Sequence, residues 1–178
     1  NRELEPFDLA AMIYDGHPFT TWHANHWRTS ANYQAGQHLG LDFDAGDATS
    51  TIPALLKSPF IAKHSSILYT TPSHTADEPR ARAVFLLDTP IMQATNYALA
   101  ASALLWLFSG ADRQCKDPAR FFYGSKGCEL EFVDHVLPIA TVKHLIKQYQ
   151  ETGKRERQRH ERTYTATTDQ AEVADALR

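Results

Sequence analysis

Cysteine is scarce in this chain, with Cys115 and Cys128 the two thiols among 178 residues. Two cysteines cannot build a disulfide framework or a four-thiolate zinc site, and they fit a reducing interior. Long hydrophobic runs are missing as well. The most apolar stretch, around residues 97–108, is too short to cross a bilayer and reads as a core helix, so no membrane role is expected. Nor is there a basic excess. The formal net charge is -3, without the positive balance that usually marks a nucleic-acid-binding domain. A carboxylate-rich metal site would mask such a balance, however, by subtracting charge locally while basic residues cluster elsewhere. No signal peptide and no internal repeat is visible. Residue 1 is Asn rather than Met, which reads as a piece of something longer.

With 43% hydrophobic residues, a chain of this length can bury one substantial core. Residues 1–150 read as that unit. A short helix is expected near 7–13, an acidic strand over 39–44, and a helix over 49–57 begun by Asp47. The β-branched stretch 65–71, stopped by Pro72, and the apolar stretch 83–88 read as a hairpin joined by a long polar connection. Residues 92–108 have the Ala/Leu richness of a buried helix ending at Gly110. Two short strands are expected over 120–124 and 128–133. Val142, Leu145, Ile146 and Tyr149 then repeat at helical spacing. Strands and helices in this order imply an α+β fold. Residues 151–178 change character: Lys154 to Arg162 carries five Lys/Arg against two Glu, and 169–178 reads as a last short helix. This tail is expected to be a charged helical linker to an accessory or helicase domain, its basic run either solvated or touching nucleic-acid backbone.

The segment Leu39-Gly40-Leu41-Asp42-Phe43-Asp44-Ala45-Gly46-Asp47 carries the chemistry. Side chains alternate along a strand, so Leu39, Leu41 and Phe43 point into a core while Gly40, Asp42 and Asp44 share the other face. Two neighbouring carboxylates repel, which pushes one toward its protonated form unless a divalent cation removes the penalty. Hard oxygen ligands suit Mg²⁺ or Mn²⁺ holding phosphates rather than zinc. The plainer alternative is a surface turn through Ala45-Gly46, with Asp47 capping a helix. A calcium loop starting at Asp42 fails, because its sixth and twelfth places hold Asp47 and Pro53 instead of Gly and Glu.

A second group follows: Ser73, His74, Arg80, Arg82 and Asp88. Asp88 closes an apolar strand, where it is either a third metal carboxylate or a turn-starter before Thr89-Pro90. His74 is either solvated or, with the arginines, a grip on a triphosphate. One tension is built in, since Arg82 and Asp88 on a regular strand lie about 20 Å apart. Gly124-Ser125-Lys126-Gly127 lacks the frame of a phosphate loop and reads as a turn. His23 and His26 lack the partners of a zinc site.

Taken in order, Asp42-Phe43-Asp44, Ser73-His74 in a hairpin, and an apolar strand ending in Asp88 resemble the three signature motifs of the archaeo-eukaryotic primase superfamily, in particular the primase-polymerases of plasmids, phages and mobile elements. The resemblance covers about residues 16 to 133. It departs from the family where Pro72 holds the place often taken by Ser two residues before the His. It implies an RRM-like primase catalytic sheet, mainly antiparallel and flanked by helices, carrying two Mg²⁺ or Mn²⁺ ions. By the same resemblance Asp42, Asp44 and Asp88 are the metal ligands. His74 contacts the incoming nucleotide's phosphates, with Ser73, Arg80 and Arg82 beside it, and Arg120 approaches the nucleotide or template. Arg28 and Asn32 are expected to border that pocket. The implied activity is template-directed nucleotidyl transfer in DNA replication, in a prokaryotic cytoplasm. Its partners would be a single-stranded DNA template, a primer and nucleoside triphosphates, with a helicase domain in the parent chain. The rival readings are a metal-dependent phosphoesterase or nuclease, a non-catalytic DNA-binding initiator module, and a glycosyltransferase.

Overall fold

The computed structural model describes residues 4–156, so the predicted terminal helix and most of the basic run lie outside the described residues. In chain order the elements are α1 (Pro6–Tyr14), β1 (Phe19–Thr20), β2 (Trp22–His23), β3 (Tyr33–Phe43), α2 (Ile52–Leu55), α3 (Pro59–His64), β4 (Ile67–Thr70), β5 (Ala81–Ile91), α4 (Ala94–Leu107), β6 (Phe121–Phe122), β7 (Leu130–Phe132), β8 (Val136–Leu137) and α5 over 139–156. This is an α+β arrangement. No helix among the described residues is long and apolar enough to cross a membrane.

The main sheet runs β2-β3-β5-β4-β7, with every neighbour antiparallel, and β8 adds to β5 in parallel. β5 changes partners halfway, pairing with β4 through Val84 and with β8 from Leu86. Ser66 bridges the join: its hydroxyl donates to the His135 carbonyl and accepts the Leu86 N–H at 2.9 Å. That satisfies backbone groups the switch would otherwise leave bare.

Alternation along the strands sorts two layers. Leu39, Leu41 and Phe43 of β3, with Ala81, Ala83 and Phe85 of β5, pack against α4 and α5 in the larger core, which also takes in Val142 and Leu145. On the opposite face Ile67, Tyr69 and Val84 pack against Leu9, Ala10 and Ile13 of α1. The sheet is therefore covered on both sides over much of its area. β1 and β6 form a separate ribbon, which brings the Phe122 ring over Gly40. A Cβ at residue 40 would stand 2.7 Å from that ring, so only glycine admits Phe122 here.

Local signals account for the small elements. Asp47 accepts the Thr49 N–H at 2.9 Å and starts a 3₁₀ turn over Ala48–Ser50, and Thr51 then caps α2. The single helix expected over 49–57 is thus split by Thr51 in extended conformation. α4 ends at Leu107 with Phe108 as its C-cap, rather than at Gly110, whose φ is not positive.

Candidate active site

Asp42 lies directly across β3 and β5 from Arg82, and Arg82 lies directly across β5 and β4 from Tyr69. Cross-strand partners share a face, so carboxylate, guanidinium and phenol form one row. Arg82 Nε donates to Asp42 Oδ1, while Nη1 donates to the Tyr69 hydroxyl at 2.5 Å and the Tyr123 carbonyl at 2.8 Å. The guanidinium also lies over the Phe122 ring, 4.8 Å from its centroid. Its side chain is 7% exposed and that of Asp42 is 2% exposed. This is a buried ion pair whose Nη1 is also engaged, which is costly to form and more costly to break.

The second oxygen of Asp42 faces another cation. Arg120 Nη2 lies 2.8 Å from Asp42 Oδ2 and 3.0 Å from Asp112 Oδ2. Asp112 is delivered by the backbone: its N–H donates to the Asp42 carbonyl at 2.8 Å, and its own carboxylate caps the 3₁₀ turn Arg113–Lys116 through the Gln114 N–H at 3.0 Å. Cys115, on the same turn, accepts the Asp42 N–H at 3.4 Å. Ligand atoms of Asp42, Asp112 and Cys115 all fall within 4.8 Å of one another, which is close enough to share a cation. The two carboxylates suit one, since each oxygen has a second lone pair. The thiol suits it less. It is fully buried, and burial together with the neighbouring Asp42 charge pushes it up to about 12, so it reads as packing rather than as a thiolate ligand.

Asp44 stands one residue past β3, at the same end of the sheet. Burial, followed by the charges of Asp42 and Asp112, holds its carboxyl above the usual range, against the pull of Arg80 and Arg82. The repulsion expected between paired acids is present, second to desolvation. A divalent cation would relieve it.

The β4–β5 hairpin emerges at this same end. Within its loop Arg80 N–H donates to His74 Nδ1 at 3.0 Å, which leaves Nε2 as the proton-bearing nitrogen of the neutral ring. Arg80 pairs with Glu78 at 3.1 Å, and its Nε is buried without a partner. Such an orphaned donor near the acids fits an anionic ligand. Ser73 is exposed in the same loop. Arg28 lies over Phe121, 4.6 Å from the ring centroid. Asn32 is tied to the Trp27 carbonyl at 3.1 Å, a local loop contact.

Two expectations need correction. Asp88 is not the third acid of the cluster. It sits six residues along β5 from Arg82, near the far end of the strand, and its Oδ1 accepts the Ile139 N–H at 2.8 Å at the start of α5. At ~3.3 Å per residue that is about 20 Å from Asp42. Asp112 stands where Asp88 was expected. Arg82 is likewise no exposed phosphate contact but the buried counter-charge of Asp42. The strand pattern held the signal for Arg82, because an arginine alternating with Val84 and Leu86 needs a buried partner. Asp112 was hidden in irregular chain, where its capping role looks like any turn-starter.

No family model and no curated protein matches the chain. Among solved structures it is similar to the AEP domain of the primase-polymerase (PrimPol) of cyanophage S-2L, with a TM-score of 0.52 and 10% sequence identity. The match covers 67% of this chain and 64% of that one, so the chain spans less than two thirds of that domain. At this identity the likeness shows the fold alone, an α+β sheet of the AEP type.

Proposed function

We propose that this chain is a template-directed nucleotidyltransferase, a DNA primase or polymerase that uses two Mg²⁺ or Mn²⁺ ions to extend a primer or an initiating nucleotide during replication. The observation that carries this reading is the convergence of Asp42 and Asp112, with Asp44 beside them, at one end of a sheet whose fold is similar to that of a primase-polymerase domain. When bound, such ions lower the pKa of an attacking hydroxyl and neutralise the leaving pyrophosphate. Asp42, Asp44 and Asp112 would hold them.

The remaining residues position and neutralise. His74 presents its Nε2–H to a phosphate oxygen, its ring oriented by the Arg80 N–H on Nδ1. Arg80, with an uncommitted Nε, adds a second donor from the same loop. Arg82 supplies the counter-charge of the central carboxylate, and Tyr69 and Tyr123 keep Arg82 in place. Little covalent chemistry is asked of the protein, so placement and electrostatics carry the rate. The partners under this reading are a single-stranded template, a primer and nucleoside triphosphates.

The test uses primed and unprimed single-stranded DNA with each nucleotide type and either Mg²⁺ or Mn²⁺. Elongated primers, or new oligonucleotides on the unprimed strand, support the reading. Cleavage of labelled DNA with metal and no nucleotides would replace it with a phosphoesterase. Salt-sensitive DNA binding without incorporation would replace it with a non-catalytic module.

A further inference from the structure

Arg120 occupies the position between Asp42 and Asp112 that a shared cation would take. Its Nη2 reaches both carboxylates, at 2.8 and 3.0 Å, and those two acids belong to the one group of potential metal ligands that converges among the described residues. The two arginines on Asp42 are held very differently. Arg82 is buried, bonded to Tyr69 and Tyr123, and stacked over Phe122. It cannot leave without opening the core. The Arg120 side chain is 23% exposed, and beyond the two acids its guanidinium donates to Gln114 Oε1 at 3.1 Å, on an exposed turn. Its backbone is fixed instead, the carbonyl accepting the Thr20 hydroxyl at 2.9 Å. Arg120 is thus a tethered guanidinium able to swing.

We propose that Arg120 is a built-in counter-cation that a divalent ion displaces from the Asp42–Asp112 pair, and that the released guanidinium then grips the anionic phosphates arriving with the ion. The inference rests on the two-ion reading above and adds a coupling between its ligands. A cation entering alone must expel Arg120 and leave it unpaired. A polyphosphate entering alone competes with two carboxylates for the same guanidinium. When both enter, each cost is removed by the other ligand. Cation and polyphosphate therefore bind with positive coupling, which by thermodynamic linkage is the same in either order. Arg82 cannot supply this exchange, because its side chain is buried and its Nη1 is held by Tyr69 and the Tyr123 carbonyl.

Mn²⁺ affinity is measured on the full chain by calorimetry, with and without a non-hydrolysable nucleoside triphosphate. For the parent, the triphosphate is expected to tighten Mn²⁺ binding by about fivefold or more after correction for free Mn²⁺–nucleotide complex. For Arg120→Gln, Mn²⁺ alone is expected to bind more tightly than to the parent, and the coupling falls toward unity. In the unaltered protein, side-chain nitrogen NMR gives a second readout that needs no variant: saturating Mg²⁺ shifts the Arg120 guanidinium signals and leaves those of Arg82 nearly fixed. If Arg120→Gln binds Mn²⁺ no more tightly than the parent, or Mg²⁺ leaves Arg120 unmoved, the exchange is wrong while the metal site stands. If the parent binds no Mn²⁺ under either condition, the two-ion reading itself fails.

Discussion

Asp42→Asn is a substitution of equal size whose consequences follow from its neighbours. In the parent, Asp42 is 2% exposed with one guanidinium on each oxygen. Asparagine keeps the shape but removes the charge, and it turns an amide NH₂ toward one of two cations. Arg82 is too deeply buried to find water instead. Removing one partner of such a pair costs about 3–5 kcal/mol, a large share of the ~5–15 kcal/mol that holds a typical domain. For a chain of this size each 1 kcal/mol moves Tm by about 2–4 °C, so a fall on the order of 10 °C is expected. Thermal and urea unfolding followed by circular dichroism measure it. Adding Arg82→Met removes the stranded charge and should recover about 2 kcal/mol or more of the loss. A single variant melting within about 2 °C of the parent would refute the reasoning. Loss of activity in an Asp42 variant therefore mixes chemistry with stability, and Asp44 and Asp112 are the cleaner probes.

Three further outcomes follow from the geometry. His38 is buried between Phe19 and Phe122, where burial lowers its pKa to about 4. The folded state then binds its proton less readily than the unfolded chain, so stability is complete above pH ~6.5 and falls by up to ~3 kcal/mol as pH drops toward 4. His38→Leu should flatten urea midpoints across that window, and an unchanged slope would contradict the assignment. Gly40→Ala brings a methyl to 2.7 Å from the Phe122 ring and should cost about 1–3 kcal/mol while disturbing the surface under Arg82, read by unfolding and near-ultraviolet dichroism. Asp44→Asn removes a carboxyl whose pKa is raised by burial and by the Asp42 charge, so at neutral pH it should leave Tm unchanged or slightly higher while weakening Mn²⁺ binding in calorimetry.

Much of the fold could be read from alternation and punctuation. β3, β4 and β5 announce themselves by β-branched or apolar alternation, Pro72 ends the first arm of the hairpin, and α5 buries Val142 and Leu145 as their spacing implies. The acidic strand and the His74–Arg80 loop meet at the sheet end because β3, β4 and β5 are neighbours, which pattern alone suggests but does not fix. Asp88 was misplaced because a strand-ending acid is equally good at capping a later helix, and only the start of α5 decides between the roles. Asp112 escaped because its position depends on how α4 returns the chain to β3, a tertiary fact with no periodic trace. The built-in conflict between Arg82 and Asp88 was informative: two residues about 20 Å apart on one strand cannot serve one site, and Arg82 is the one that stays with Asp42.

The most direct test of the central assignment is divalent-dependent primer extension by the parent, Asp112→Asn and Asp88→Asn, each checked for an unchanged melting temperature. Asparagine at 88 still accepts the Ile139 N–H, so that variant keeps its helix start. The account predicts extension by the parent and Asp88→Asn, and none above background by Asp112→Asn. Extension by Asp112→Asn at the parental rate, or loss confined to Asp88→Asn, would contradict it.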